Sequence, residues 1–220
     1  MPTHAILFDI GRVVVGFNTS IVSHQLSSYS PLTVYSINNH VFRVFPDGKR
    51  NKLLEDFEEG HITVSEFYNQ VRNLIEAGPS LTLERFIEIW TSMFYENRGI
   101  DDIICDLRAR GCICIAISNT DEIIWDWLTR NVKTVRNNFF DPTNHVLSFK
   151  VGFPKPDARM WQAALNLAQC PSENVVYIDD IRDLLASFER FCKKTNIIHY
   201  NCDREPSETL RLELTRLGVL

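Results

Sequence analysis

Apolar positions along the chain fall into two regimes. The run Ala5-Ile6-Leu7-Phe8 is short, uncharged and partly β-branched and aromatic, the pattern of a strand buried on both faces, and it stops abruptly at Asp9 before Gly11. Val13 to Val15 continues apolar as far as Gly16. From there the period changes. Between Thr19 and about Arg98 the apolar residues recur at helical spacing, predicting helices near 21–30, 31–45, 51–59, 63–77 and 81–97. Ser30-Pro31, Pro46-Asp47-Gly48, Gly60 and Gly78-Pro79 punctuate them. Thr63 and Glu66 have the spacing of a capping box ahead of Phe67, Val71, Leu74 and Ile75.

From Gly99 onward helices and strands alternate. A helix over 100–110 stops at Gly111, a second buried strand spans 112–117, and a helix over 122–131 carries Trp125 and Trp127. Residues 138–141 and 146–149 read as short extended pieces. A helix over 158–168, a strand over 175–178, a helix over 182–194, a short strand over 197–200 and a final helix over 207–217 complete the chain. This alternation predicts an α/β fold, a doubly wound, Rossmann-like parallel sheet covered on both faces. The helical stretch is then an insertion after the first strand: residues 1–16 and 99–220 form the core, and 17–98 a helical cap.

Composition narrows the possible partners. With 220 residues, 45% of them hydrophobic and 23% charged, the chain can bury a sizeable core, and no window reaches the length of a membrane span. A formal charge of −5 leaves no basic footprint for nucleic acid, so an anionic substrate must be held by a few placed cations or a metal. The first residues lack a basic segment followed by a long apolar stretch, which predicts a cytoplasmic protein. None of the six cysteines forms a CxxC pair, and Cys112 and Cys114 share one face of a strand, so buried reduced thiols are expected rather than disulfides or metal ligands. A monomer or a homodimer is expected, with no nucleic-acid or membrane partner.

The chemistry lies at the strand ends, where open parallel sheets bind their ligands. Asp9 ends the first strand, Ser118-Asn119-Thr120 the second, and Asp179-Asp180 the strand over 175–178. Between them, Gly152-Phe153-Pro154-Lys155-Pro156-Asp157 presents a lysine in a loop stiffened by two prolines. Taken singly, Asp9 could form a turn, the Ser-Asn-Thr cluster could cap a helix and Lys155 could be solvated. The adjacent acids are harder to explain without a cation, because they repel one another. Together the four clusters suit phosphoryl transfer: a carboxylate nucleophile, a divalent cation on Asp9 and Asp180, and a lysine and a hydroxyl for the remaining phosphate oxygens. Oxygen-only ligation beside a phosphate suits Mg²⁺.

In this order the motifs LFDIG (7–11), ISNT (117–120), GFPKPDARMW (152–161) and YIDD (177–180) resemble those of the haloacid dehalogenase-like hydrolases. The segments EEGHITVSEF (58–67) and FIEIWTSMF (86–94) resemble the cap of that superfamily's sugar-phosphate phosphatases, including glucose-1-phosphatase-like members. The resemblance implies an Mg²⁺-dependent phosphomonoester hydrolase acting on a small metabolite through an aspartyl-phosphate. Asp9 would be the nucleophile and Lys155 would steady it, Ser118 and Asn119 would bind phosphate, and Asp180 would hold Mg²⁺ with the Asp9 carboxylate and the Gly11 carbonyl, with Asp179 behind them. Three positions depart from the family pattern. Gly11 stands where most of these phosphatases carry an acid/base aspartate, and the sugar-phosphate branch usually follows its glycine with asparagine, where this chain has Arg12. Leu184 replaces a frequent asparagine after the acidic pair.

Those departures leave an alternative, a phosphate-binding regulatory protein that turns over weakly or not at all. A metal-independent carbon–halogen hydrolase is a third possibility, which the acidic pair disfavours. Arg12 could contact phosphate or pair with a carboxylate. Most aromatic residues of the cap (Phe42, Phe45, Phe57, Phe67, Tyr68, Phe86, Trp90, Phe94 and Tyr95) are expected in its packing, and His24, His40 and His61 at its surface.

Overall fold

Strand β1 (Ala5–Phe8) occupies the middle of the sheet, as an uncharged strand buried on both faces must. The computed structural model describes residues 4–43 and 51–220. After β1 the chain turns sharply into β2 (Val15–Phe17) and then runs through five helices: α1 (Thr19–Leu26), α2 (Val34–Phe42), α3 (Lys52–Glu58), α4 (Val64–Leu74) and α5 (Leu83–Thr91). It returns through β3 (Phe94–Glu96) into α6 (Ile100–Ala109), β4 (Ile113–Ser118), α7 (Glu122–Asn131), α8 (Lys133–Phe139), β5 (His145–Leu147) and α9 (Ser148–Val151). Then come α10 (Ala158–Ala168), β6 (Val175–Asp179), α11 (Arg182–Phe191), β7 (Asn196–His199) and α12 (Ser207–Arg216).

Five strands form one sheet in the order β5-β4-β1-β6-β7, and every pairing is parallel. The fold is thus the doubly wound α/β class. The two-residue period divides the strands between two layers. Ile6, Phe8, Cys114, Ala116, Val176 and Ile178 face α6, α7, α8 and α12, whereas Leu7, Ile115, Ile117, Val175 and Tyr177 face α10 and α11. Register then fixes the site: Phe8 is level with Ala116 and Ile178, so one step further Asp9 comes level with Asp179.

The five helices between β2 and β3 gather around an apolar cluster of their own. Phe57 stacks on Phe67 at 4.1 Å between ring centroids, Phe67 meets Trp90 edge-on at 5.0 Å, and Phe86 stacks on Trp90 at 5.5 Å. Thr63 accepts from the Glu66 N–H at 3.2 Å while Glu66 accepts from the Thr63 N–H at 2.8 Å, the capping box legible in the sequence. His24, His40 and His61 are exposed. Phe45 and the Pro46-Asp47-Gly48 breaker lie outside the described residues.

Three links join this helical unit to the sheet. The antiparallel pair of β2 and β3 carries the chain out and back, with Tyr95 opposite Gly16, and its ring so close that a Cβ on Gly16 would lie 2.0 Å from it. Ile123 of α7 packs into the helical unit's cluster. Beside it Asp121, fully buried, caps α7 by accepting from the Ile124 N–H at 2.9 Å and accepts from Trp90 Nε1 of α5 at 3.2 Å. Gly60, just after α3, has φ of +72°, and an added Cβ would lie 2.4 Å from the Phe149 carbonyl oxygen of α9.

Three expected elements come out differently. The helix expected over 81–97 ends at Thr91, because Phe94 to Glu96 pair with β2. Asn138 and Phe139, expected to be extended, close α8, where the Phe139 ring packs 6.0 Å from that of Phe8; burial against the sheet overrides the local strand preference of paired phenylalanines. Of the piece expected over 146–149, only Val146 and Leu147 belong to β5, and Ser148 already opens α9. No disulfide joins any of the six cysteines, and Cys112 and Cys114 are buried on the same side of the sheet. Among the described residues no helix is long and apolar enough to cross a membrane.

Gly60→Ala should destabilise the protein by about 2 kcal/mol or more, since it combines a left-handed backbone with a clash against a backbone oxygen; urea denaturation measures it. Asp121 generates a second prediction. Burial pushes its carboxyl up to about 7, against the pull of its hydrogen bonds from Ile124 and Trp90 and with help from the Glu58 charge. An unfolded aspartate gives up its proton near pH 4, so between about pH 4 and pH 7 the folded protein holds a proton that the unfolded chain has lost, and stability falls as pH rises. Asp121→Asn keeps the cap without that ionisation. The variant should gain roughly 2 to 4 kcal/mol on the parent between pH 5 and pH 8, read from denaturant midpoints at both values.

Candidate active site

At the carboxyl edge of the sheet a buried ammonium group binds two carboxylates. Lys155 Nζ donates to Asp9 Oδ1 and to Asp179 Oδ2, each at 2.7 Å, and Lys155 is only 5% exposed. Each partner is delivered by a different element. Asp9 follows β1, and its N–H donates to the Ile178 carbonyl at 2.9 Å, locking it to β6. Asp179 ends β6 with no exposure, and accepts from the Tyr177 hydroxyl and, at 2.8 Å, from the Ile181 N–H. Lys155 comes from the proline-flanked loop before α10.

That loop is held by Asn119. Its side-chain oxygen accepts from the Lys155 N–H at 2.7 Å, and its amide donates to the Lys155 carbonyl at 3.0 Å. Asn119, expected to bind phosphate, therefore has its side chain engaged in positioning the lysine. Ser118 ends β4 and is buried beside it. The next residue is fixed from α9: the Thr120 N–H donates to Ser148 Oγ at 2.9 Å, and that hydroxyl donates to the Thr120 carbonyl at 3.0 Å.

Asp180 is turned to the other side. It accepts weakly from Asn201 Nδ2 at 3.4 Å and lies 3.7 Å from the Arg12 guanidinium. Arg12 Nε donates to Asp203 Oδ2 at 3.0 Å, Asp203 also accepts from the Tyr95 hydroxyl, and the guanidinium lies 4.5 Å from the centroid of the Phe17 ring. Of the two roles open to Arg12, the structure displays the ion pair. Its φ of 58° is uncommon for a residue with a side chain, and the bonds from its N–H to Val15 (2.6 Å) and from the Cys202 N–H to its carbonyl (2.8 Å) hold it there.

Electrostatics follow from burial. Removal from water is the largest influence on Asp9 and pushes its carboxyl up to about 7, with Lys155 opposing and Asp179 adding to the rise. Burial likewise raises Asp180, helped by Asp179 and opposed by Arg12. Burial pulls the other way on Lys155, yet the carboxylates of Asp179 and Asp9 outweigh it and keep the ammonium charged above its ordinary range. Tyr177 is held well above its usual value, first by burial and then by Asp179, so it remains a donor.

Oxygens of Asp9, Asp179 and Asp180 lie within 4.8 Å of one another, an all-oxygen set that fits Mg²⁺. A cation among them would relieve the mutual repulsion that raises Asp9 and Asp180. Asp179 already accepts from Lys155, Tyr177 and Ile181, so Asp9 and Asp180 are the two carboxylates with more oxygen to offer. Gly11, at the next turn of the loop, owes its identity to crowding: a Cβ there would lie 2.9 Å from the Phe17 ring. Leu184 packs into the apolar layer under α10 and α11 and brings no polar group to the site.

Sequence reasoning brought Asp9, Gly11, Lys155, Ser118, Asn119, Asp179 and Asp180 to one edge, and the structure places them there. It missed Tyr177, Ser148, Phe17, Asn201 and Asp203. Tyr177 was within reach, because a residue two before Asp179 on a strand shares its face. Phe17 ends β2, Ser148 opens α9, and Asn201 and Asp203 lie in the loop after β7, none of them with a local signal.

No protein-family model matches the chain. Solved structures do. A predicted HAD-like family hydrolase from Porphyromonas gingivalis superimposes with a TM-score of 0.77 at 20% identity, covering 97% of this chain and 98% of its own. A HAD family enzyme from Bacteroides thetaiotaomicron, solved in complex with magnesium and inorganic phosphate, gives 0.74 at 19% identity over 94% of this chain and 99% of its own. A dehalogenase gives 0.57 at 12% identity over 89% and 84%. The fold is therefore that of the haloacid dehalogenase-like hydrolases, and it supports more than one chemistry.

Lys155→Met tests the arrangement. Two buried carboxylates would then face each other without a counter-charge, and the protein should lose about 3 to 5 kcal/mol at pH 8. The loss should be smaller at pH 5, because the carboxyls, raised further by the missing ammonium, take up protons in the folded state. Unfolding curves at the two pH values measure the difference.

Proposed function

We propose that this chain is a haloacid dehalogenase-like phosphatase, an Mg²⁺-dependent phosphomonoester hydrolase for a small metabolite of the sugar-phosphate class. The observation that carries the reading is Lys155 bridging Asp9 and Asp179, with Asp180 beside them, at the carboxyl edge of a parallel sheet. A carboxylate that is held by one oxygen and has the other uncommitted is poised as a nucleophile. The magnesium and phosphate found with the Bacteroides enzyme, a protein of the same fold, fit the same chemistry.

In this reading Asp9 Oδ1 stays on Lys155 while the other oxygen attacks phosphorus, giving an aspartyl-phosphate. Ser118 and backbone amides after β4 would bind the phosphate oxygens, and Lys155 would balance the charge that gathers there. Asp9, Asp180 and the Gly11 carbonyl would hold Mg²⁺, which when bound supplies neutralising charge to the phosphate. Asn119 acts through Lys155, whose backbone it fixes. Arg12 steadies Asp180 rather than reaching the substrate. Residues 17–98 would serve as the cap that selects the substrate and excludes water, and a reducing compartment such as the cytoplasm suits six cysteines outside any disulfide.

One observation favours the second reading, a phosphate-binding protein with little turnover: the Phe17 ring fills the place where an acid/base side chain at position 11 would sit. A carbon–halogen hydrolase gains only from the shared fold of the dehalogenase, since the Asp9–Asp179–Asp180 cluster has no use in a metal-free reaction. Purified protein should hydrolyse a chromogenic phosphate ester, lose the activity with EDTA, regain it with Mg²⁺, and lose at least about 10³-fold in kcat on Asp9→Asn. Unchanged turnover in that variant removes Asp9 as the nucleophile.

A further inference from the structure

The wall beside the nucleophile is aromatic, and this bears on which half of the reaction the site can perform. We infer that Asp9 accepts a phosphoryl group readily from acyl phosphates, donors whose leaving group needs no proton, and then releases it slowly, so that the phosphorylated protein accumulates. The inference rests on the reading of Asp9 as nucleophile and goes beyond it in naming the donor class and the lifetime.

Lys155 holds Asp9 Oδ1, and Oδ2 is turned towards Gly11, 3.9 Å from the position of an added Cβ. A carboxylate or imidazole at that position would be well placed to protonate a leaving oxygen and later to deprotonate water. Phe17 takes the room instead, its ring edge 2.9 and 3.4 Å from the same point. The ring is pinned by the Arg12 guanidinium at 4.5 Å and by the Phe94 ring at 6.2 Å. Hydrocarbon can neither give nor take a proton. Arg12 cannot replace it as a base, because a guanidinium keeps its protons. The charged groups that act most on Asp9 are Lys155, Asp179 and Asp180. Asp179 accepts from Lys155, Tyr177 and Ile181, and Asp180 faces Arg12 and Asn201.

The two half-reactions make different demands. In the first, an Asp9 oxygen bonds to phosphorus while the bond from phosphorus to the acyl oxygen breaks, and the leaving group departs with the electron pair as a carboxylate. No proton moves. An alkyl ester would instead need a proton on its leaving alkoxide. In the second, a water oxygen bonds to phosphorus, the bond from Asp9 to phosphorus breaks and the Asp9 carboxylate is restored, and the water must give up a proton. A positioned base contributes about 10²- to 10⁴-fold to such a step. From a common turnover of about 10 s⁻¹, release falls to roughly 0.1 to 0.001 s⁻¹ without it.

The test uses the full chain with Mg²⁺ and acetyl phosphate at pH 7, following acetate and phosphate release and intact mass after an acid quench. The expected result is a burst of about one acetate per chain, addition of one phosphoryl mass to most molecules, and decay over roughly ten seconds to ten minutes once the donor is removed. Peptide mapping should place the group on Asp9, and Asp9→Asn, shown to be folded by circular dichroism, should take up none. Continuous phosphate release at about 10 s⁻¹, with less than about a tenth of the protein phosphorylated, overturns slow release and leaves the phosphatase reading standing. Absence of both acetate release and added mass, in protein that hydrolyses the chromogenic ester, overturns the inference alone; identical labelling of Asp9→Asn overturns the inference together with Asp9 as the nucleophile.

Discussion

A lysine ammonium buried between two carboxylates is an expensive object, and most of this structure is arranged around it. Removing three charges from water costs far more than any one contact returns, unless each charge is paired and its remaining hydrogen-bonding capacity is satisfied. Here Lys155 answers Asp9 and Asp179 together, the Tyr177 hydroxyl and the Ile181 N–H complete Asp179, and Asn119 fixes the lysine's backbone on both sides. The parallel register that brings Asp9 level with Asp179 is what allows one ammonium to reach both. A slip of one residue would turn the side chains of a whole strand to the other layer and separate the pair.

The same edge divides into a satisfied side and an unsatisfied one. Towards Lys155 the ammonium, Asp179 and the Asn119 amide are all hydrogen-bonded. Towards Gly11 and Asp180 the carboxylates repel one another, and burial raises both Asp9 and Asp180 above their ordinary range. This asymmetry belongs to a ligand site more than to a structural ion pair, since burial without full compensation destabilises the fold and favours whatever positive charge arrives. The left-handed Arg12 lies on this side as well, tying the loop after β1 to Asp203 in the loop after β7. Its cation meets Asp180 and its planar face meets Phe17, so one side chain couples the acidic cluster to the ribbon that leads into the helical unit.

That coupling joins the helical unit to the acidic cluster. The ribbon of β2 and β3 carries Phe17 against Gly11 and Tyr95 against Asp203, so a movement of the helical unit about this ribbon would be felt within two residues of Asp9. Asp121 and Trp90 form a second, buried link, and the close approach of Gly60 to Phe149 a third.

The sequence by itself determined the architecture and the inventory of reactive groups. The two-faced apolar run 5–8, the alternation after Gly99 and the polar residues at successive strand ends are local signals, and local physics reads them: period, strand-end chemistry and the stiffness of Pro154 and Pro156. Asp9, Ser118, Lys155, Asp179 and Asp180 could be assigned to one edge because a parallel sheet leaves few other places for them. What each group does was decided by the tertiary structure. Asn119 turned to the Lys155 backbone, Arg12 took Asp203 and Asp180, and β3 formed where a helix was expected, because a partner strand lay almost 80 residues earlier in the chain. Phe17 is the clearest case: six residues from Gly11 in sequence it reads as one more apolar position, and only the turn at 12–14 brings its ring to the place where an acid/base group would have stood. Contacts of that kind depend on distances between elements, which no pattern along the chain encodes.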